Sequence, residues 1–177
     1  MAIREGRKMA EKKSSLEYSF KVNLKGKKSI WRIVVLRGDH TLHNLHKIIF
    51  RAFDREEEHL YSFFFPREPR GRDRQSLKVK EYSSPFYAKE PNPITDEQPF
   101  NAEETTLDSL NFKVNQTFEY LFDFGDNWLH EIKVVQIESA SRTRRLPIIS
   151  ERHGESPPQY PDYEEEDEEN EGEKEQT

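Results

Sequence analysis

Residues 117–135 read TFEYLFDFGDNWLHEIKVV, and how these positions pair decides most of the architecture. Phe118, Tyr120, Phe122 and Phe124 alternate with Thr117, Glu119, Leu121 and Asp123; after Gly125-Asp126-Asn127, Trp128, His130, Ile132 and Val134 alternate with Leu129, Glu131, Lys133 and Val135. A period of two marks two strands, each with one aromatic or aliphatic face. Gly, Asp and Asn supply the tolerance for positive φ that a reversal requires. Loop length then matters, because a slip of one residue turns every side chain to the other face. A three-residue loop pairs Phe124 with Trp128, Phe122 with His130, Tyr120 with Ile132 and Phe118 with Val134. A two-residue Asp126-Asn127 turn would set Asp123 opposite His130 and Phe122 opposite Glu131. Packing favours the first register, which places His130 among aromatics and sends Asp123 toward the other face.

Upstream, Tyr18, Phe20, Val22 and Leu24 alternate with polar neighbours, Lys25-Gly-Lys-Lys28 is a turn, and Ile30 to Leu36 is a second apolar strand, so a hairpin is the simplest reading. Gly38, Asp39 and Thr41 supply breaker and N-cap chemistry before Leu42, Leu45, Ile48, Ile49, Ala52 and Phe53, one face of an amphipathic helix. His59 to Phe65, closed by Pro66, reads as a buried strand. Residues 77–87 suggest a weak strand, Pro91 to Thr106 a long polar connection, and Thr106 the cap of a short turn carrying Leu107 and Leu110. One domain over 16–162 is expected, preceded by a basic arm at 1–15 and followed by a disordered acidic tail at 163–177.

The chain has 177 residues, 33% hydrophobic and 35% charged, with a net charge of -6. That charge describes the tail. Residues 151–177 hold twelve acids and two bases, leaving 26 bases against 22 acids, a net of +4, for the rest. No apolar run reaches the roughly 18 residues of a membrane span, the basic N-terminus lacks the apolar stretch of a secretory signal, and there are no cysteines for disulfides or thiolate metal sites. A cytoplasmic protein without membrane partners is expected.

Tyr120-Leu-Phe-Asp-Phe-Gly-Asp-Asn-Trp-Leu-His130 resembles the signature of the Ri-plasmid ORF-3-like family, also described as an insertion-element passenger protein and loosely as TnpR-like. Tyr18-Ser-Phe-Lys-Val-Asn-Leu-Lys-Gly26, Ile30-Trp31-Arg32, the Thr41-Leu42 helix with Leu45, His46 and Ile49, and His59-Leu-Tyr-Ser-Phe63 follow in the family's order. The resemblance covers roughly residues 16–162. It implies an α+β fold, a roll of mixed, largely antiparallel strands with few helices and hairpins, and no settled biochemical activity. Many members carry Pro-Pro-Glu-Asp and paired glycines near the C-terminus, where this chain has Ser156-Pro-Pro-Gln-Tyr-Pro161, so a carboxylate contribution there loses support. The recombinase implication has little basis without a nucleophilic serine in a resolvase-like context.

Asp123-Phe-Gly125 would suit a kinase magnesium site, but there is no Gly-rich phosphate loop, partner lysine strand or His-Arg-Asp sequence. The leading expectation is a non-enzymatic binding module, with no catalytic residue, metal or cofactor assigned. Its candidate functional surface is His59, Tyr61, Asp123, Asp126, Trp128 and His130. The alternative is a metal-assisted hydrolase or nuclease-like enzyme using His59, His130 and Asp123 or Asp126, ligand types suited to zinc or manganese. Arg67, Arg70, Arg72, Arg74, Arg142, Arg144 and Arg145 are candidate phosphate contacts for nucleic acid. The acidic tail, by charge complementarity, would fold back and mask them.

Overall fold

A computed structural model describes residues 14–66, 79–93, 96–141 and 143–160. The basic arm, apart from Ser14 and Ser15, and the acidic tail lie outside the described residues.

Eight strands form one sheet: β1 (Leu16–Leu24), β2 (Trp31–Arg37), β3 (Tyr61–Pro66), β4 (Val79–Ser83), β5 (Phe100–Asn101), β6 (Thr117–Phe122), β7 (Trp128–Ser139) and β8 (Ile148–His153). Their order is β5-β4-β3-β6-β7-β1-β2-β8, and every neighbouring pair is antiparallel except β4 with β5. The single α-helix among the described residues, α1 (Leu42–Ala52), packs on one face. This overturns the α+β expectation: 42% strand against 13% helix among the described residues is not a balanced content. The cause is visible in the chain. Only residues 42–53 carry an apolar stripe at helical spacing, and among the described residues the long polar connections contribute just two 3-10 turns, Tyr87–Lys89 and Asp108–Leu110.

Helix α1 forms where expected. The Thr41 side chain accepts the Asn44 N–H while the Asn44 side chain accepts the Thr41 N–H, a reciprocal cap. Leu42, Leu45, Ile48, Ile49, Ala52 and Phe53 are all buried against the sheet. The opposing face is largely aromatic: Tyr18 and Phe20 from β1, Tyr61, Phe63 and Phe65 from β3, and Phe118, Tyr120 and Phe122 from β6. Phe65 and Phe118 stack with their ring centres 4.4 Å apart. Favourable offset geometry adds to the area that such rings bury.

A bulge in β7 explains how one strand keeps an irregular apolar pattern inside. Ser19 faces Gln136 and Phe20 faces Val134, so Val135 is the extra residue. The face parity of β7 switches there, and Ile137 joins Val134 and Ile132 on the core side. Strand β8 has no strong alternation in sequence because Ser150 to His153 are exposed on the sheet edge.

The central hairpin corrects the preferred register. Phe122 faces Trp128, Tyr120 faces His130 and Phe118 faces Ile132, giving a five-residue loop, 123–127. The shift is by two residues, so the faces are preserved while every partner moves. Asp123 and Asn127 both adopt left-handed conformations, φ 58° and 55°, which widen the turn. Phe124 leaves the ladder and meets Tyr87 edge to face at 5.2 Å.

Candidate functional site at the hairpin end

The widened loop is held by its own first residue. Asp123 Oδ1 accepts the Gly125 N–H at 2.9 Å and the Asp126 N–H at 3.4 Å, and the Asp123 carbonyl accepts the Asn127 N–H at 2.8 Å. Asp and Asn suit these positions because their short polar side chains tolerate left-handed backbone and bond locally. The Asp123 N–H in turn bonds to the Leu60 carbonyl, which fixes the loop beside the entry to β3. There Asp123 Oδ2 lies 3.5 Å from His59 Nε2. The same nitrogen is 2.7 Å from the Tyr160 hydroxyl, which donates to Glu57 Oε2 at 3.0 Å.

Inside this rim is a layer of histidine and tyrosine. His46, on α1, stacks on Tyr61 with ring centres 3.8 Å apart, and its Nδ1 is 2.8 Å from the Tyr120 hydroxyl. His43 Nδ1 meets the Tyr61 hydroxyl at 2.6 Å. Burial lowers the His46 pKa to about 3, with His43 and Lys47 adding to the effect. The neutral imidazole has one N–H and one acceptor nitrogen, so its tautomer sets which partner donates between Nδ1 and the Tyr120 hydroxyl. Burial also raises the Tyr61 and Tyr120 hydroxyls above their ordinary value, so both remain donors.

His130 is fully enclosed. It faces Leu24 on one side and Tyr120 on the other, with the Phe53 ring edge-on at 4.7 Å. Burial, then the Arg55 charge, brings its pKa down to about 3. The carbonyls of Trp128 and Tyr120 are nearby but outside hydrogen-bond geometry, and neither ring nitrogen has a partner. Arg55 itself is 6% exposed, and its guanidinium lies 3.8 Å over the Trp128 ring.

Of the residues singled out in sequence, His59 and Asp123 are brought together, while Tyr61 joins the interior layer. Asp126 and Trp128 line a surface groove of about 390 Å³ with Leu24, Lys25, Gly26, Lys27, Asn127 and Leu129. His130 turns away from His59 into the core. Among the described residues no group of three His, Asp or Glu side chains is placed to hold a metal ion. Arg144 binds Glu17 at 2.9 Å and Arg145 is exposed, whereas Arg67, Arg70, Arg72, Arg74 and Arg142 lie outside the described residues.

Arg32 and Arg55 were not anticipated. Arg32 is 2% exposed, and its guanidinium donates to the carbonyls of Ala52, Trp31 and His153 and to the Ser156 hydroxyl. It thereby ties the end of α1 to the C-terminal segment. Its sequence signal is an arginine at a core-facing position, in phase with Val34 and Leu36. Arg55 gave no comparable signal, since a cation after a helix reads as solvated.

Fold and site together define a class: an open, mainly antiparallel sheet with one helix on its aromatic face and a histidine–tyrosine layer at one end. The chain belongs to the plasmid pRiA4b ORF-3-like protein family, whose model matches residues 17–165. A crystal structure of a protein of unknown function from Methanosarcina mazei Go1 is similar, with a TM-score of 0.64 and 21% identity over 82% of this chain and 74% of that one. At that identity the likeness is one of fold. No curated protein is significantly similar to the chain. No described helix is long and apolar enough to cross a membrane.

Proposed function

We propose that the chain is a non-enzymatic binding module whose contact surface is the hairpin end of the sheet. The observation carrying this reading is that the reactive-looking side chains there are committed to structure. His46 holds Tyr120, His43 holds Tyr61, His130 is enclosed, and Asp123 Oδ1 closes the loop. Recognition chemistry is what remains outside: His59, Tyr160, Asp126 and the edge of Trp128. The 3.5 Å approach of His59 to Asp123 favours the second reading, a metal-assisted hydrolase. Incubation with zinc or manganese, followed by mass spectrometry of bound metal, separates the two. The module predicts less than about a tenth of an equivalent; one equivalent that disappears in His59→Ala would establish the metal site instead.

Nucleic acid is the partner class supported by the basic segments at 66–80 and 142–145, and an accessory role on a mobile element rests on the family's plasmid association. Fluorescence anisotropy with labelled duplex DNA tests the partner. Affinity should fall by orders of magnitude between about 50 and 200 mM salt. Deleting residues 163–177 should raise it at low salt if the tail masks the arginines; identical binding with and without the tail would remove the masking.

A further inference from the structure

We propose that Arg55, Trp128 and His130 form a buried site for an oxyanion, the carboxylate or phosphate group of a small acidic ligand. The proposal rests on donors enclosed in the protein and does not depend on the macromolecular partner considered above.

A guanidinium has five N–H donors and no acceptor. Arg55, 6% exposed, makes one hydrogen bond among the described residues, from Nη1 to the Pro157 carbonyl at 3.3 Å. Its Nε and Nη2 are enclosed without a partner. Neighbouring Asp54 offsets the charge in part through space, but its carboxylate takes its hydrogen bonds from Arg152 and Ser156 and leaves the Arg55 donors unfilled. No ion pair among the described residues includes Arg55. The Trp128 ring, 3.8 Å away, stabilises the cation through its face but satisfies none of the donors. Trp128 Nε1 is likewise enclosed and unpartnered, and the His130 nitrogens have only the misaligned carbonyls of Trp128 and Tyr120 nearby.

Three donor-bearing groups and one unpaired positive charge are thus gathered at the end of α1. Enclosed polar groups are normally hydrogen-bonded, and an enclosed cation is normally paired. Hydroxyls or carbonyls could satisfy the donors, but only an anion also answers the charge. An oxyanion matches best, because its oxygens can take the Nε and Nη2 hydrogens together as a fork. Trp128 also lines the surface groove that carries Lys25 and Lys27. The segment that carries Pro157, the one acceptor of Arg55 among the described residues, is pinned to the chain after Arg55 by Gln159, whose Oε1 accepts the N–H groups of Glu56 and Glu57 at 2.8 and 3.1 Å.

Trp128 supplies the readout. In a Trp31→Phe background, where it is the only tryptophan, the chain is titrated with acetate and with inorganic phosphate at constant ionic strength. A saturable change in emission is expected with at least one of them, and Arg55→Gln should weaken it by about tenfold or more. Arg55→Lys, which keeps the charge but loses the fork, should fall between. The Arg55 Nε–H resonance of the wild-type chain should shift with the same midpoint, a measurement that requires no variant to fold. A response that appears only after deletion of residues 163–177 would support the site with the chain's own acidic tail as its occupant. A linear, non-saturating response, unchanged in Arg55→Gln, with an unmoved Nε–H resonance in both full-length and tail-deleted chains, would overturn the proposal.

Discussion

Asp123 carries two local duties at once, and substitution separates them. Its carboxylate closes the 123–127 loop through two N–H groups, and its backbone sits at φ 58°. Asp123→Ala loses the acceptor and places a side chain poorly suited to the left-handed region there. It should cost about 2 kcal/mol in urea denaturation, from roughly 1 kcal/mol for the hydrogen bonds and a similar amount for the backbone. Asp123→Asn retains both features and should cost less than about 0.5 kcal/mol. Equal losses would show that charge, through His59, matters more than the turn. The residue type was legible in the sequence as turn chemistry. Its proximity to His59 was not, because that depends on β3 lying beside β6.

Helix α1 is stabilised at two levels of different size. Removing the cap by Thr41→Ala should cost about 1 kcal/mol. Removing core volume by Leu45→Ala should cost about 2–5 kcal/mol, since the side chain is fully buried and the aromatic layer beneath it can close the gap only in part. Thermal or urea unfolding of both variants checks the order, and a cap variant as damaging as the core variant would contradict it. Both the helix and its buried face follow from apolar spacing alone. The hairpin differs in kind. Alternation identifies its strands and faces, but two registers offset by two residues place identical faces inward. The choice falls to Asp123 and Asn127 adopting left-handed backbone and to Tyr87 receiving Phe124. Edge strand β8 escaped notice because an edge needs only part of one apolar face.

At the scale of the molecule, two enclosed histidines make stability depend on pH. His46 and His130 have pKa values lowered from 6.5 to about 3, so their contribution is fully present above 6.5. As pH falls from 6.5 toward 3 the unfolded chain binds protons that the folded chain refuses, and stability is lost. Each histidine contributes a slope approaching about 1.4 kcal/mol per pH unit in that window. His130→Leu should therefore show a shallower decline in unfolding free energy between about pH 6 and 4 than the wild type, by about that slope. Parallel curves would mean that His130 is solvated in the native state.

What the sequence determined by itself is local: the alternating strands, the α1 stripe and its cap, the turn residues, and the split between a mildly basic body and an acidic tail. These depend on period and propensity, which neighbouring residues express without distant partners. Only the tertiary structure decided that the described elements join as one eight-stranded sheet with α1 on its face. It also brought His59 to Asp123, sealed His130 and stacked Arg55 on Trp128. Such contacts join residues remote in the chain, and they are selected by how whole faces close over one another, a quantity no local pattern contains.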